Sequence, residues 1–180
     1  EQVENRRLEL DPIPSALALK RPGRPWRIGL FGTLRCTSSL DVLSQFASES
    51  SGQFEVILRG KPAPSAIPDF ESRVTSATNL SFHGPYRNPE DVASIYRDVH
   101  FAWLIDYFEE GKNSKWLLPN RLYEGSRFGS VPIALKGTET AEILTNRKMG
   151  IILPEATPEA MVVALGGLND LTYARLNGDV

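Results

Sequence analysis

The chain has 180 residues, 41% of them hydrophobic and 23% charged, with a formal net charge of -2. That length suits one domain with a real core, and that charge gives no basis for broad nucleic-acid binding. A single cysteine, Cys36, excludes an internal disulfide, and no Cys/His cluster offers a zinc site.

Residues 1–25 are polar and proline-rich, ending in Lys20-Arg21-Pro22-Gly23-Arg24-Pro25, and read as a linker or lead-in segment ahead of a domain over 26–180. The chain opens on Glu1 without Met and is charge-rich through Asp11. No signal peptide is read there, and the chain is expected to be a piece of a longer protein. No apolar run approaches the roughly eighteen residues of a membrane span. Arg27–Phe31 reads as a short buried strand closed by Gly32, and residues 38–50 as a helix with a weak capping pattern in Ser38 and Asp41. Phe54–Leu58 is a second strand, 69–77 a short helix, and Leu80–His83 a third strand stopped by Gly84-Pro85.

Asn88-Pro89-Glu90-Asp91 predicts a helix start, with Asn as cap, Pro at the first helical position and acids in the first turn, running to Val99. A strand follows over Phe101–Tyr107, then a helix over Pro119–Phe128, a strand over Val131–Leu135, and a helix over Thr138–Arg147. The last strand is Gly150–Leu153, and Thr157-Pro158-Glu159 repeats the cap–proline–acid start for a helix to Leu165. The tail from Asn169 reads as a partial helix. Six strands that alternate with helices, each apolar with little alternation, predict an α/β fold with a doubly wound parallel sheet. Ligands of such sheets sit beyond the carboxyl ends of the strands.

The loops at that edge hold the candidate chemistry. Gly32-Thr33-Leu34-Arg35-Cys36-Thr37 after the first strand suits a phosphate cradle or a plain turn and cap. Arg59 and Lys61 after the second strand suit a diphosphate or a solvated loop, and Tyr86 after the third suits a base or a surface turn. Asp106 with Glu109 and Glu110 has no metal-ligand spacing, and the nearby Lys112 and Lys115 favour ordinary ion pairing. His83 and His100 read as packed or partly solvated side chains, since neither has a carboxylate at catalytic spacing. Pro119-Asn120-Arg121-Leu122-Tyr123-Glu124 is the most informative stretch. It opens a helix whose amino end suits a diphosphate, and residues 120, 121 and 124 share a face, with Glu124 free to take hydroxyl bonds or to pair with Arg127.

That stretch, with Gly129, Val131-Pro132, Gly137-Thr138-Glu139-Thr140-Ala141-Glu142, Gly150 to Pro154 and Thr157 to Ala160, carries a family resemblance. The span from Arg27 to Met161 resembles the C-terminal, nucleotide-sugar-binding domain of retaining GT-B glycosyltransferases of family four, a Rossmann-like half of that fold. Asn113-Ser114-Lys115-Trp116-Leu117-Leu118 resembles a narrower subgroup from rhizobial, succinoglycan-type exopolysaccharide synthesis. The resemblance implies a UDP- or GDP-sugar donor and a transfer without metal or other cofactor. Glu124 would hold the ribose, and Asn113, Ser114, Asn120 and Arg121 would face the sugar and phosphates. Gly32, Thr33 and Tyr86 would complete the donor site, with Arg35 and Arg59 as catalytic cations against the leaving diphosphate.

A glycan or polyprenyl-linked acceptor would bind an N-terminal domain outside this chain. The resemblance also implies a cytoplasmic location at the inner face of the plasma membrane, compatible with peripheral membrane association. On that basis residues 1–180 alone are expected to bind donor nucleotide weakly and not to turn over. Two departures from the pattern stand out. Trp116 stands where many members carry a first glutamate eight residues before Glu124, and Thr33 and Ser38 stand where the first loop usually has Arg and Lys. Three readings compete: a degenerate, non-catalytic nucleotide-binding module, an NADP-dependent Rossmann dehydrogenase domain, and a sugar-nucleotide epimerase. Gly29 and Gly32 only partly mimic the dinucleotide loop.

Overall fold

The computed structural model describes residues 23–107 and 118–178. Strands β1 (Trp26–Leu34), β2 (Phe54–Pro62), β3 (Leu80–Phe82), β4 (Phe101–Trp103), β5 (Val131–Leu135) and β6 (Ile151–Leu153) form one sheet in the order β3-β2-β1-β4-β5-β6. Every pairing is parallel. The helices are α1 (Thr37–Glu49), α2 (Phe70–Ser76), α3 (Val92–Arg97), α4 (Asn120–Arg127), α5 (Glu139–Arg147), α6 (Pro158–Leu165) and α7 (Asp170–Gly178). The sheet is buried on both faces, as its apolar strands require. One face packs Ile28, Leu43, Val56, Leu58 and Ile133; the other packs Phe31, Tyr96, Val99, Leu104 and Leu144.

The predicted doubly wound sheet is therefore present, with corrections at its edges. Gly32 does not close the first strand. β1 runs through it to Leu34, and Gly32 pairs with Gly60, Thr33 with Lys61. A Cβ on Gly60 would lie 1.7 Å from the Gly32 carbonyl oxygen, and φ there is 135°, so only glycine lets the two backbones meet. Helix α1 is capped not by Ser38 but by Cys36, whose Sγ accepts from the Ser39 amide at 3.4 Å. Asp41, read as half of a capping pair, instead bonds Arg73 on α2.

The third helix opens at Val92, later than predicted. Asp91 accepts from the Arg87 amide at 2.8 Å, so residues 87–91 form a turn ahead of the helix. Asn88 spends its side chain on a distant partner rather than on a cap. β4 is shorter than predicted and ends at Trp103. The Thr157 start stands as read, and the helix read from Thr138 opens at Glu139 with Thr138 as its cap: each hydroxyl accepts from the amide three residues on, at 3.2 Å.

The register positions the site. β1 stays paired with β2 from Trp26↔Phe54 to Leu34↔Pro62, but with β4 only at Ile28↔Phe101 and Gly29↔Ala102. The upper part of β1 thus leaves β4, and strand order reverses across the gap. That is where an open α/β sheet holds its ligands.

Candidate nucleotide-sugar site

Arg35 and Asp106 close the gap between the ends of β1 and β4. The Arg35 Nε donates to Asp106 Oδ2 at 3.3 Å, and the Arg121 guanidinium lies 3.8 Å from the same oxygen. Arg121 sits in the first turn of α4, and its side chain is only 13% exposed. It also donates to the Trp103 carbonyl at 3.2 Å, which fixes it at the end of β4. Burial pushes its pKa down, and the Asp106 carboxylate opposes that shift. Thr33, Arg35, Cys36, Ile105, Asp106 and Arg121 line a small pocket there.

Ser39 locks the floor of the pocket. Its hydroxyl accepts from Trp103 Nε1 and donates to the Ile105 carbonyl, both at 3.0 Å. Cys36 is buried, and its Sγ accepts from the Tyr107 amide at 3.2 Å as well as from Ser39.

Glu124 lies one turn further along α4 and is half-buried. Its Oε1 accepts from Asn88 Nδ2 at 3.0 Å and its Oε2 from the Tyr96 hydroxyl at 3.2 Å. Both donors are neutral, and neither is Arg127, the alternative partner read from the sequence. Tyr96 is fully buried, and burial followed by the Glu124 carboxylate raises its pKa, so the phenol keeps its proton and donates. Tyr86 is half-buried, and its pKa is raised by burial and then by Glu124, while Arg121 opposes the shift. Tyr86 therefore feels both the carboxylate and the cation.

Helix α4 is positioned for this by Gly125. A Cβ there would lie 3.0 Å from the Ala102 Cβ and 3.3 Å from Tyr96 Cε1, so the bare backbone lets α4 settle onto β4 and α3. The N-cap residue Pro119 contributes no side-chain cap and the first turn holds no acid. The amino end of α4 is thus electropositive and suited to an anion.

Of the residues singled out in the sequence, the structure gathers Arg35, Arg121, Tyr86 and Glu124 at this edge. Arg59 sits in the β1–β2 ladder opposite Phe31 and donates to the Pro85 carbonyl at 3.3 Å, next to Tyr86 in the chain. Gly32 and Thr33 belong to the strand rather than to a cradle loop, with Thr33 exposed at the pocket rim. Asn120 is exposed in the first turn of α4. Asn113 and Ser114 lie outside the described residues, as do Glu109, Glu110 and Trp116. His83 is exposed against Ser81, and His100 packs between Trp26 and Tyr173 away from the site.

Sequence reasoning missed Asn88 and Tyr96 as partners of Glu124 and Asp106 as the anion between two arginines. Only Asp106 carried a signal, as the acid at a strand's carboxyl end.

The sheet order, the crevice beside β1 and the helix amino end above it define the fold of the C-terminal domain of GT-B glycosyltransferases. The C-terminal domain of a glycosyl transferase group 1 family protein from Francisella tularensis superposes with a TM-score of 0.60 at 17% identity, over 88% of this chain and 80% of that one. An Anabaena protein, HepE, solved in complex with UDP and glucose, superposes with a TM-score of 0.63 at 11% identity, over 90% of this chain and 42% of that one. In sequence the chain is similar to the succinoglycan biosynthesis protein ExoL of Rhizobium meliloti (strain 1021), 50% identical over 177 residues. That match takes in 96% of this chain and 44% of ExoL, so the chain spans less than half the length of its relative. No protein-family model matches the chain. Among the described residues no helix is long and apolar enough to cross a membrane.

Proposed function

We propose that this chain is the donor-binding half of a retaining glycosyltransferase that moves a sugar from a UDP- or GDP-sugar to a glycan or polyprenyl-linked acceptor in succinoglycan-type exopolysaccharide synthesis. The observation that carries the reading is the meeting of Glu124, Arg121, Tyr86 and Arg35 at the switch point of the sheet. A carboxylate that accepts from neutral donors keeps lone pairs for ribose hydroxyls. Arg121, Arg35 and the first-turn amides of α4 face the diphosphate. As the bond between the sugar's anomeric carbon and the phosphate oxygen breaks, the nucleoside diphosphate gains negative charge, and fixed cations at that point lower the barrier. No resident cofactor is invoked for this step.

Arg121 also bears on the departure at Thr33. A cation arriving from α4 stands beside Arg35 where the family pattern puts one on the first loop, which favours a working site over a degenerate one. The dehydrogenase reading fares worse, because β1 runs straight through Gly32 and forms no glycine turn at the start of a helix. The acceptor belongs, in this reading, to a second Rossmann-like domain, and its lipid-linked form places the enzyme at the inner membrane face.

Calorimetric titration of the chain with UDP, GDP and NADPH tests the assignment. A nucleoside diphosphate should bind, and Glu124→Ala should weaken it. No binding of either diphosphate, or preference for NADPH, would sink the reading.

A further inference from the structure

We infer that Asn88 and Tyr96 are positioning residues that set the plane of the Glu124 carboxylate and thereby make the site select a ribose diol. The inference rests on the reading above, in which Glu124 takes ribose hydroxyls.

A glutamate on a helix surface samples many rotamers, and holding it still costs entropy. Here each oxygen has its own donor from a different place in the chain: Oε1 takes Asn88 Nδ2 at 3.0 Å, and Oε2 takes the Tyr96 hydroxyl at 3.2 Å. With one bond fixed on each oxygen, the plane of the group is set, and each oxygen keeps acceptor capacity for a further hydroxyl. Two acceptors side by side suit two adjacent hydroxyls.

The Tyr96 donor cannot swing away. Its ring is fully buried, stands edge-on to Phe31 with centroids 5.0 Å apart, and lies against the α4 backbone at Gly125. Both donors are neutral, so neither cancels the charge that attracts a hydroxyl, as an arginine in their place would. Order established before the ligand arrives need not be imposed by binding, which is how preorganisation raises affinity.

The 180-residue chain should be titrated with UDP and GDP and with their 2′,3′-dideoxy counterparts, as wild type, Tyr96→Phe, Asn88→Ala, Glu124→Ala and Tyr96→Phe/Glu124→Ala. For whichever ribonucleotide binds, Tyr96→Phe and Asn88→Ala should each weaken it about 3- to 10-fold. The dideoxy nucleotide should be nearly indifferent to all of them. In the Glu124→Ala background Tyr96→Phe should add nothing, since its effect runs through that carboxylate. Denaturant midpoints identify any variant that fails to fold, and Tyr96→Phe, which keeps the packed ring, then decides alone. Unchanged ribonucleotide affinity in Tyr96→Phe, with Glu124→Ala still weakened, would overturn the positioning role and leave the transferase reading standing. Equal losses for ribo- and dideoxynucleotides would likewise reduce Tyr96 to a packing residue. Wild-type chain that binds neither diphosphate, or Glu124→Ala that binds as tightly as wild type, would remove the parent reading and this inference with it.

Discussion

The two edges of the sheet are built from similar side chains and arranged to opposite ends. At the amino edge, Trp26, His100, Phe101 and Tyr173 form an aromatic cluster, with Trp26 and Tyr173 centroids 4.9 Å apart and His100 5.1 Å from Trp26. The His100 ring is held by the Arg27 amide, which donates to Nδ1 at 2.9 Å. Trp26 Nε1 and the Tyr173 hydroxyl are buried there without a partner among the described residues. At the carboxyl edge, Tyr96 is as deeply buried, yet its hydroxyl meets a carboxylate, and Arg35, Asp106 and Arg121 pair across three elements or loops. Rings at the amino edge carry their polar atoms as passengers of packing. At the carboxyl edge packing serves to aim the polar atoms. The parallel sheet makes this division possible, because all strand carboxyl ends and the amino end of α4 converge on one side.

The largest effect expected from breaking the amino edge is on stability. Trp26 is 1% exposed, and Trp26→Ala should cost about 3–5 kcal/mol in a denaturant titration. Nucleotide affinity of the chain that remains folded should be unchanged. If it fell as far as in Glu124→Ala, the two edges would not be separable. Breaking the carboxyl edge should do the reverse. Glu124→Ala should weaken nucleoside diphosphate binding by about 1.5–3 kcal/mol in calorimetry while lowering the unfolding free energy by only about 1–2 kcal/mol, the cost of leaving the buried Tyr96 hydroxyl without its acceptor. Arg121→Met sharpens the assignment within that edge. It should lower affinity for the nucleoside diphosphate by about 1.5–3 kcal/mol and leave that of the corresponding nucleoside unaltered, if the guanidinium faces phosphate.

The sequence was legible where structure is local. The cap-and-proline start at Thr157 is decided within a few residues and forms as read, and the helix read from Thr138 opens one residue later with Thr138 as its cap. Strand count and parallel order followed from unalternating apolar runs, because a strand covered on both faces must be apolar throughout. Legibility ended where a residue's neighbour is distant in the chain. Asn88 looked like a helix cap, since nothing local reports that Glu124, 36 positions away, takes its amide. Gly32 looked like a turn because the apolar run stops at Phe31, whereas its role is to face Gly60 across the ladder. Arg59 looked equivalent to Arg35, since both follow a strand's apolar run. Only the register shows that β2 continues past Arg59 and draws it into the ladder. The special weight given to Glu124 and Arg121 came from the family resemblance, and their convergence on the switch point is what the structure adds.

The smallest predicted effects divide the two edges most cleanly, because the same atom is removed from both. Tyr96→Phe removes a hydroxyl that donates to Glu124, and should destabilise the chain by about 1 kcal/mol. Tyr173→Phe removes one that is buried without a partner among the described residues, and should be neutral or stabilising by up to about 1 kcal/mol. Alkaline pH reads the same pair independently. Burial raises the pKa of both phenols, with Glu124 adding to the shift at Tyr96. A phenol whose folded pKa is raised holds its proton more tightly folded than unfolded. Its contribution to stability is fully present below the unfolded value of about 10, and is lost as pH rises from there through the folded value. Unfolding free energy should therefore fall steadily between about pH 10 and 11.5, and each Tyr→Phe variant should flatten that slope by about one proton. Glu124→Gln should relieve part of the shift at Tyr96 and none at Tyr173. A Tyr173→Phe variant with an undiminished slope would mean that water reaches this hydroxyl, and the amino edge would then be no drier than the site.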